Sequence, residues 1–116
     1  MNAEKLITLV RNALEDKKAQ DINVLKVRDF SSITDFMVVA TGKTARQVKA
    51  LAQHVIEQAK GYGHRPFGDE GINIGEWALV DLGDVIVHVM QPQTRDFYQL
   101  EKLWCDMGSV QNNFAV

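Results

Sequence analysis

The sequence predicts a single α/β domain, on three observations. Its 116 residues are the length of one domain. Residues 2–18 and 45–60 carry apolar side chains at helical spacing. Between and after them lie short runs rich in Val and Ile, bounded by Gly, Asp and Pro as strands are. A chain of this size buries roughly two-thirds of its unfolded surface, enough for a core without covalent staples.

The strongest stretch is Gly75 to Met90, GEWALVDLGDVIVHVM. Two β-type runs, Trp77 to Val80 and Val85 to Met90, flank the turn Asp81-Leu82-Gly83-Asp84, which predicts a β-hairpin. The second run is apolar at odd and even positions alike, so it is expected at the centre of a sheet, covered on both faces. The first alternates, with Trp77, Leu79 and Asp81 on one side and Ala78 and Val80 on the other.

The remaining elements follow in order. Asn2 caps an expected helix to Lys18, with Leu6, Leu9, Val10, Ala13 and Leu14 on its apolar face. Ile22 to Arg28 alternates towards its end, as a strand near a sheet edge does, and 29–34 is a polar connector anchored by Phe30 and Ile33. Asp35 to Gly42 is another strand. Thr44 and Gln47 have the spacing of a capping box for a helix over 45–60, stopped by Gly61-Tyr62-Gly63. His64 to Asn73 is a loop or short strand. Gln91-Pro92-Gln93 ends the hairpin, and Thr94 is placed as the cap of a last helix reaching Met107, with a polar tail over 108–116.

Charge is segregated. Residues 1–60 hold 10 Lys/Arg against 7 Asp/Glu (+3), and residues 61–116 hold 3 against 8 (−5), for a net −2. An acidic, aromatic-bearing half suits a basic protein partner and repels phosphate, although a solvated surface gives the same asymmetry. A single cysteine, Cys105, forms no internal disulfide and fits a reducing compartment. No run of about 18 apolar residues spans a membrane, and the start lacks the pattern of a secretory signal. The expected location is cytoplasmic.

Chemistry is thinly represented. There is no CxxC, HExxH, nucleophile elbow or full dinucleotide fingerprint. His54, His64 and His88 show no metal spacing, and His88, inside an apolar strand, reads as a hydrogen-bonded core histidine. Asp81 and Asp84 are the best acid pair, yet they occupy a turn where Asp is common, and Val85 to Met90 supplies no further carboxylate. Arg95 and Glu101 read as surface charges, and Cys105 as a plain thiol. The strand–TGKT–helix order over Thr41 to Thr44 resembles a phosphate-binding turn but lacks the glycine spacing of a Walker loop. No catalytic residue, metal or cofactor is assigned.

The runs SSITDFMVVATG, DEG, GEWALVDLGDVIVHVM and RDFYQLEKLW, in this order, resemble the ribosomal silencing factor (RsfS, Iojap-like) family from about Gln20 to Trp104. The resemblance implies one domain over 1–107 with a mixed β-sheet flanked by helices, similar in topology to nucleotidyltransferases but without their catalytic site. At the equivalent of their phosphate turn stands Gly42-Lys43, and paired in-strand carboxylates are missing. It further implies a homodimer when free, and binding to the large ribosomal subunit through ribosomal protein L-fourteen. There the factor would block joining of the small subunit under nutrient limitation, while organelle relatives act in ribosome assembly. The contact residues expected on this reading are Trp77, Asp81, Leu82, Asp84, Tyr98 and Glu101. Trp77 and Tyr98 are interface anchors or core residues with equal justification from sequence, whereas Trp104 is expected in the core. Two other classes remain beside it: a nucleotide-binding protein using Thr41 to Thr44 with Asp81 and Asp84, and an RNA-binding module using the basic N-terminal half.

Overall fold

A computed structural model of the chain describes residues 2–29 and 32–102. Helix α1 (Ala3–Asp16) starts at Asn2, whose side-chain oxygen accepts from the Lys5 N–H at 2.8 Å. It leads into β1 (Gln20–Lys26), and after the connector comes β2 (Phe36–Thr41). Helix α2 (Ala45–Gly61) follows, then β3 (Gly68–Glu70), β4 (Trp77–Asp81), β5 (Val85–Met90) and α3 (Pro92–Tyr98). The strands form one sheet in the order β1-β2-β5-β4-β3. β5 pairs parallel with β2 and antiparallel with β4, while β1–β2 and β3–β4 are antiparallel, so the sheet is mixed. The hairpin is present, its second strand is central, and β1 lies at an edge, as the sequence predicts. The likeness to nucleotidyltransferases stays an expectation from resemblance.

The two faces of the sheet are finished differently. On one, Val38, Ala40, Val80, Val87 and Val89 pack against the apolar stripes of α1 and α2, among them Leu6, Val10, Leu14, Leu51 and Val55, all fully buried. On the other, a smaller cluster of Leu25, Val27, Met37, Val39 and Met90 is covered by Trp77 and Leu100. Gly75 makes the fit at the sheet's end possible. With φ at +78° and a position where a β-carbon would sit 2.7 Å from the Ala45 carbonyl oxygen, only glycine lets the chain before β4 pass the start of α2.

Several expectations need correction. The last helix begins at Pro92, not after a Thr94 cap. Gln91 stands at its start without a side-chain cap, and proline suits the first helical position because its fixed φ is helical and its missing N–H would have had no partner. Nor is it continuous: Gln99 turns left-handed at φ 46°, and helical geometry resumes at Leu100 and holds to the last described residue, Lys102. At α2, Thr44 Oγ1 accepts from the Gln47 N–H at 3.1 Å, but the Gln47 side chain returns to the Lys43 N–H at 2.7 Å, one residue before the position a capping box requires. Phe30, Trp104, Cys105 and the expected tail lie outside the described residues.

Candidate partner-binding surface

β4 presents its odd residues to the less covered face of the sheet. Trp77, Leu79 and Asp81 are half-exposed there, while Ala78 and Val80 are buried against the helices. Beside them Ile86 of β5 is also half-exposed, opposite Asp81. The result is an open strip running from Trp77 to Asp81, about 13 Å at the rise of a β-strand.

Trp77 belongs both to the core and to the surface. Its ring closes over the smaller cluster, and its indole N–H donates to His88 Nδ1 at 2.9 Å. Burial pushes the His88 imidazole down from 6.5 to about 4, so it is neutral at physiological pH, with Nδ1 free to accept and its proton on Nε2. On its outer side Trp77 meets Tyr98, ring centroids 4.9 Å apart, and Tyr98 meets Phe97 edge-on at 5.0 Å. Tyr98 is 55% exposed and Phe97 79%. Three aromatic rings thus lead from the core into solvent, with the exposed carboxylates of Glu76 and Asp96 on neighbouring segments.

A strap of residues 91–102 carries Phe97 and Tyr98. Its start is tied next to Trp77, where the Gln91 N–H donates to the Glu76 carbonyl and its side-chain amide to the Gly75 carbonyl. Its end is held by Arg95 and Glu101, which are not the surface charges expected from sequence. The guanidinium and carboxylate pair through two hydrogen bonds of 2.8 and 2.9 Å, with side chains 13% and 23% exposed. Arg95 also donates to Thr41 Oγ1 and to the Asp21 carbonyl, and the Asn23 amide donates to Glu101. Partial burial pushes the Glu101 pKa up, but the hydrogen bonds from Arg95 and Asn23 and the Arg95 charge outweigh it, so the carboxyl lies below its ordinary range. The cluster binds the strap across β2 and β1, and because Tyr98 lies between its two halves it also sets where the aromatic ring stands.

The six expected contact residues therefore divide. Trp77 and Tyr98 touch each other, and Glu101 belongs to the strap that carries Tyr98, where it pairs with Arg95. Asp81 shares the Trp77 face but at the far end, where its carboxylate accepts from the Gly83 N–H at 2.9 Å and shapes the turn. Asp84 is exposed in that turn. Leu82 is fully buried with the helix-packed core, so its side chain is withdrawn from any partner. At Gly42-Lys43, the Lys43 N–H is already taken by Gln47. Among the described residues no group of three or more His, Cys, Asp or Glu is placed to hold a metal ion, and no helix is long and apolar enough to cross a membrane.

Residues 1–115 match the family described as "Ribosomal silencing factor during starvation". The chain belongs to this family. It is 46% identical to the ribosomal silencing factor RsfS of Haemophilus influenzae over 85% of this chain and 97% of that one, and 46% identical to that of Chromobacterium violaceum over 100% and 93%. A mouse protein named for mitochondrial assembly of the large ribosomal subunit is 33% identical over 84% of this chain and 44% of its own length. The crystal structure of a Chromobacterium violaceum protein superposes with a TM-score of 0.88 at 47% identity, covering 90% of this chain and 87% of that one. One from Bacillus halodurans gives 0.80 at 38% identity, covering 87% and 94%.

Within this silencing-factor domain, sequence reading missed Leu79 and Arg95. Leu79 carries a signal in its two-residue spacing from Trp77. Arg95 carries none, since partners six residues apart do not meet on a continuous helix.

Proposed function

We propose that this chain binds the large ribosomal subunit through ribosomal protein L-fourteen and blocks joining of the small subunit when nutrients are scarce. The aromatic group Trp77–Tyr98–Phe97 carries the reading, because large rings held half in the core and half in solvent, beside carboxylates, are what a basic protein surface can grip. The names of the bacterial relatives support a ribosomal role, and the mouse relative's name supports the large subunit. Occlusion requires only residence on the joining surface and bulk beside it, so the protein acts as a regulator and not an enzyme. Trp77, Tyr98, Asp81 and Asp84 contribute to the contact, and Glu101 contributes by fixing the strap. The exposed rings are shielded in a homodimer when the protein is free in the cytoplasm.

Purified protein added to isolated subunits should shift a sucrose-gradient profile from joined ribosomes to separate subunits, and should be retained by immobilised L-fourteen. Trp77→Ala should weaken large-subunit binding by about 2 kcal/mol or more, roughly thirtyfold, while the domain stays folded. Unchanged subunit joining would overturn the proposal, and tight magnesium-dependent nucleotide binding in calorimetry would put a nucleotide-binding protein in its place. Accumulation of large-subunit precursors on deletion, with joining untouched, would replace silencing by an assembly role.

A further inference from the structure

One end of the sheet is a single register row, Gln20–Thr41–Met90–Trp77, crossing β1, β2, β5 and β4. The strap crosses this end, with its aromatic rings beside Trp77 and its Arg95–Glu101 pair reaching Thr41 and Asp21. Beyond the strap, the turns before β1 and after β2 are rich in cations. Lys17 and Lys18 precede Gln20, and Lys43 and Arg46 follow Thr41, all four exposed and without an ion pair among the described residues. Gln47 gathers them. Its Oε1 accepts from the Lys43 N–H at 2.7 Å, and its Nε2 donates to the Lys17 and Lys18 carbonyls at 3.2 and 3.1 Å. The nearby carboxylates are Glu15 and Asp16 at the end of α1, with Asp16 facing His54 on α2 at 3.3 Å, and the exposed Asp21 beside Gln20.

We infer that this cationic corner is a second docking surface, which takes the phosphate backbone of an RNA strand lying beside the protein partner of Trp77 and Tyr98. The inference rests on the ribosomal reading above. Its chemistry differs from that of the aromatic surface. Protein interfaces are anchored by large apolar and aromatic side chains and are poor in lysine at their centres, and the corner offers four cations without a large apolar side chain between them. Phosphates are gripped by such Lys and Arg groups without apolar anchors, and the grip positions a ligand without reading its sequence. The excess of cations in the N-terminal half is thus concentrated at these two turns, apart from the aromatic rings, with Asp21, Asp96 and Glu101 lining the cleft under the strap. A ribosomal site where a basic protein adjoins ribosomal RNA would meet both.

The test uses the full chain and purified large subunits over a range of salt. A variant carrying Lys17→Gln, Lys43→Gln and Arg46→Gln should bind roughly tenfold more weakly at moderate salt. The slope of log affinity against log salt should fall by about 2 to 3, from 0.7 to 0.9 per lost phosphate contact. Trp77→Ala should weaken binding with the salt slope unchanged. A photoreactive amino acid at position 46 should crosslink to ribonuclease-sensitive material. Wild-type binding with the triple variant indistinguishable in affinity and slope would overturn this inference alone, as would a position-46 crosslink confined to protein. Failure of the wild-type chain to bind large subunits at all would remove the ribosomal reading, and this inference with it.

Discussion

The two faces of the sheet solve the same burial problem by different means. On the helix-covered face, aliphatic side chains from α1, α2 and alternate strand positions interlock, and among the described residues almost nothing polar intervenes. The opposite face is covered only in part, by a strap held through the Arg95–Glu101 cluster, and its Trp–His pair satisfies polar atoms within the layer. Apolar packing is non-directional and tolerates no vacancy, whereas hydrogen-bonded ion pairs are directional and place particular atoms. The first face makes the domain stable, and the second places a ring where a partner can reach it.

Truncating the helix-covered face should produce the largest effect. Leu51→Ala, at a fully buried position, should lower unfolding stability by about 2–5 kcal/mol in a denaturant titration. Ribosome binding by the fraction that stays folded should be unchanged. A loss of binding at equal folded concentration would erase the division between the faces.

The next effect belongs to His88. Its folded pKa of about 4 lies below the ordinary 6.5, so both states are neutral above pH 6.5 and the unfolded chain takes up the proton first as pH falls. Stability should therefore decline from pH 6.5 towards 4, by about 3 kcal/mol in all. His88→Gln should flatten this window. The decline at still lower pH, where the depressed Glu101 pKa gives up its contribution, should remain. An unaltered slope between pH 6.5 and 4 in the variant would place the titration elsewhere.

Arg95→Met should have the smallest effect on stability, about 1–3 kcal/mol, by leaving a half-buried carboxylate with one partner fewer. Its effect on ribosome binding should be larger than its effect on melting, because Tyr98 loses its fixed place. Equal losses in both would reduce the cluster to ordinary packing.

Much of this was legible in the residues. The apolar density of Val85 to Met90 announced a central strand, and the alternation in Trp77 to Asp81 announced its two-sided neighbour. The core histidine and the Asp81 turn were also readable, because both depend on local surroundings. Leu82 was misplaced by attending to the turn and not to parity: it continues the Ala78–Val80 side and is buried with it. The Arg95–Glu101 pair was illegible for a firmer reason. A helical reading through Tyr98 to Lys102 puts those residues on different faces, and only the left-handed Gln99 lets the chain double back so that they meet. A glutamine in that conformation has no local sequence signature.

The pairing of β2 with β5 has a consequence for how the chain acquires its shape. β1 with β2, and β4 with β5, are neighbours in sequence as well as in space, so each pair can zip locally. Their union depends on one parallel seam between segments nearly half the chain apart, with α2, β3 and β4 between them. The entropy of closing the intervening loop is met before the seam returns any contact, and such long-range parallel pairing is slow. In pulse-labelled hydrogen exchange during refolding, amides bridging β2 and β5 should gain protection after those within either antiparallel pair, leaving two half-sheets as transient companions until the seam shuts.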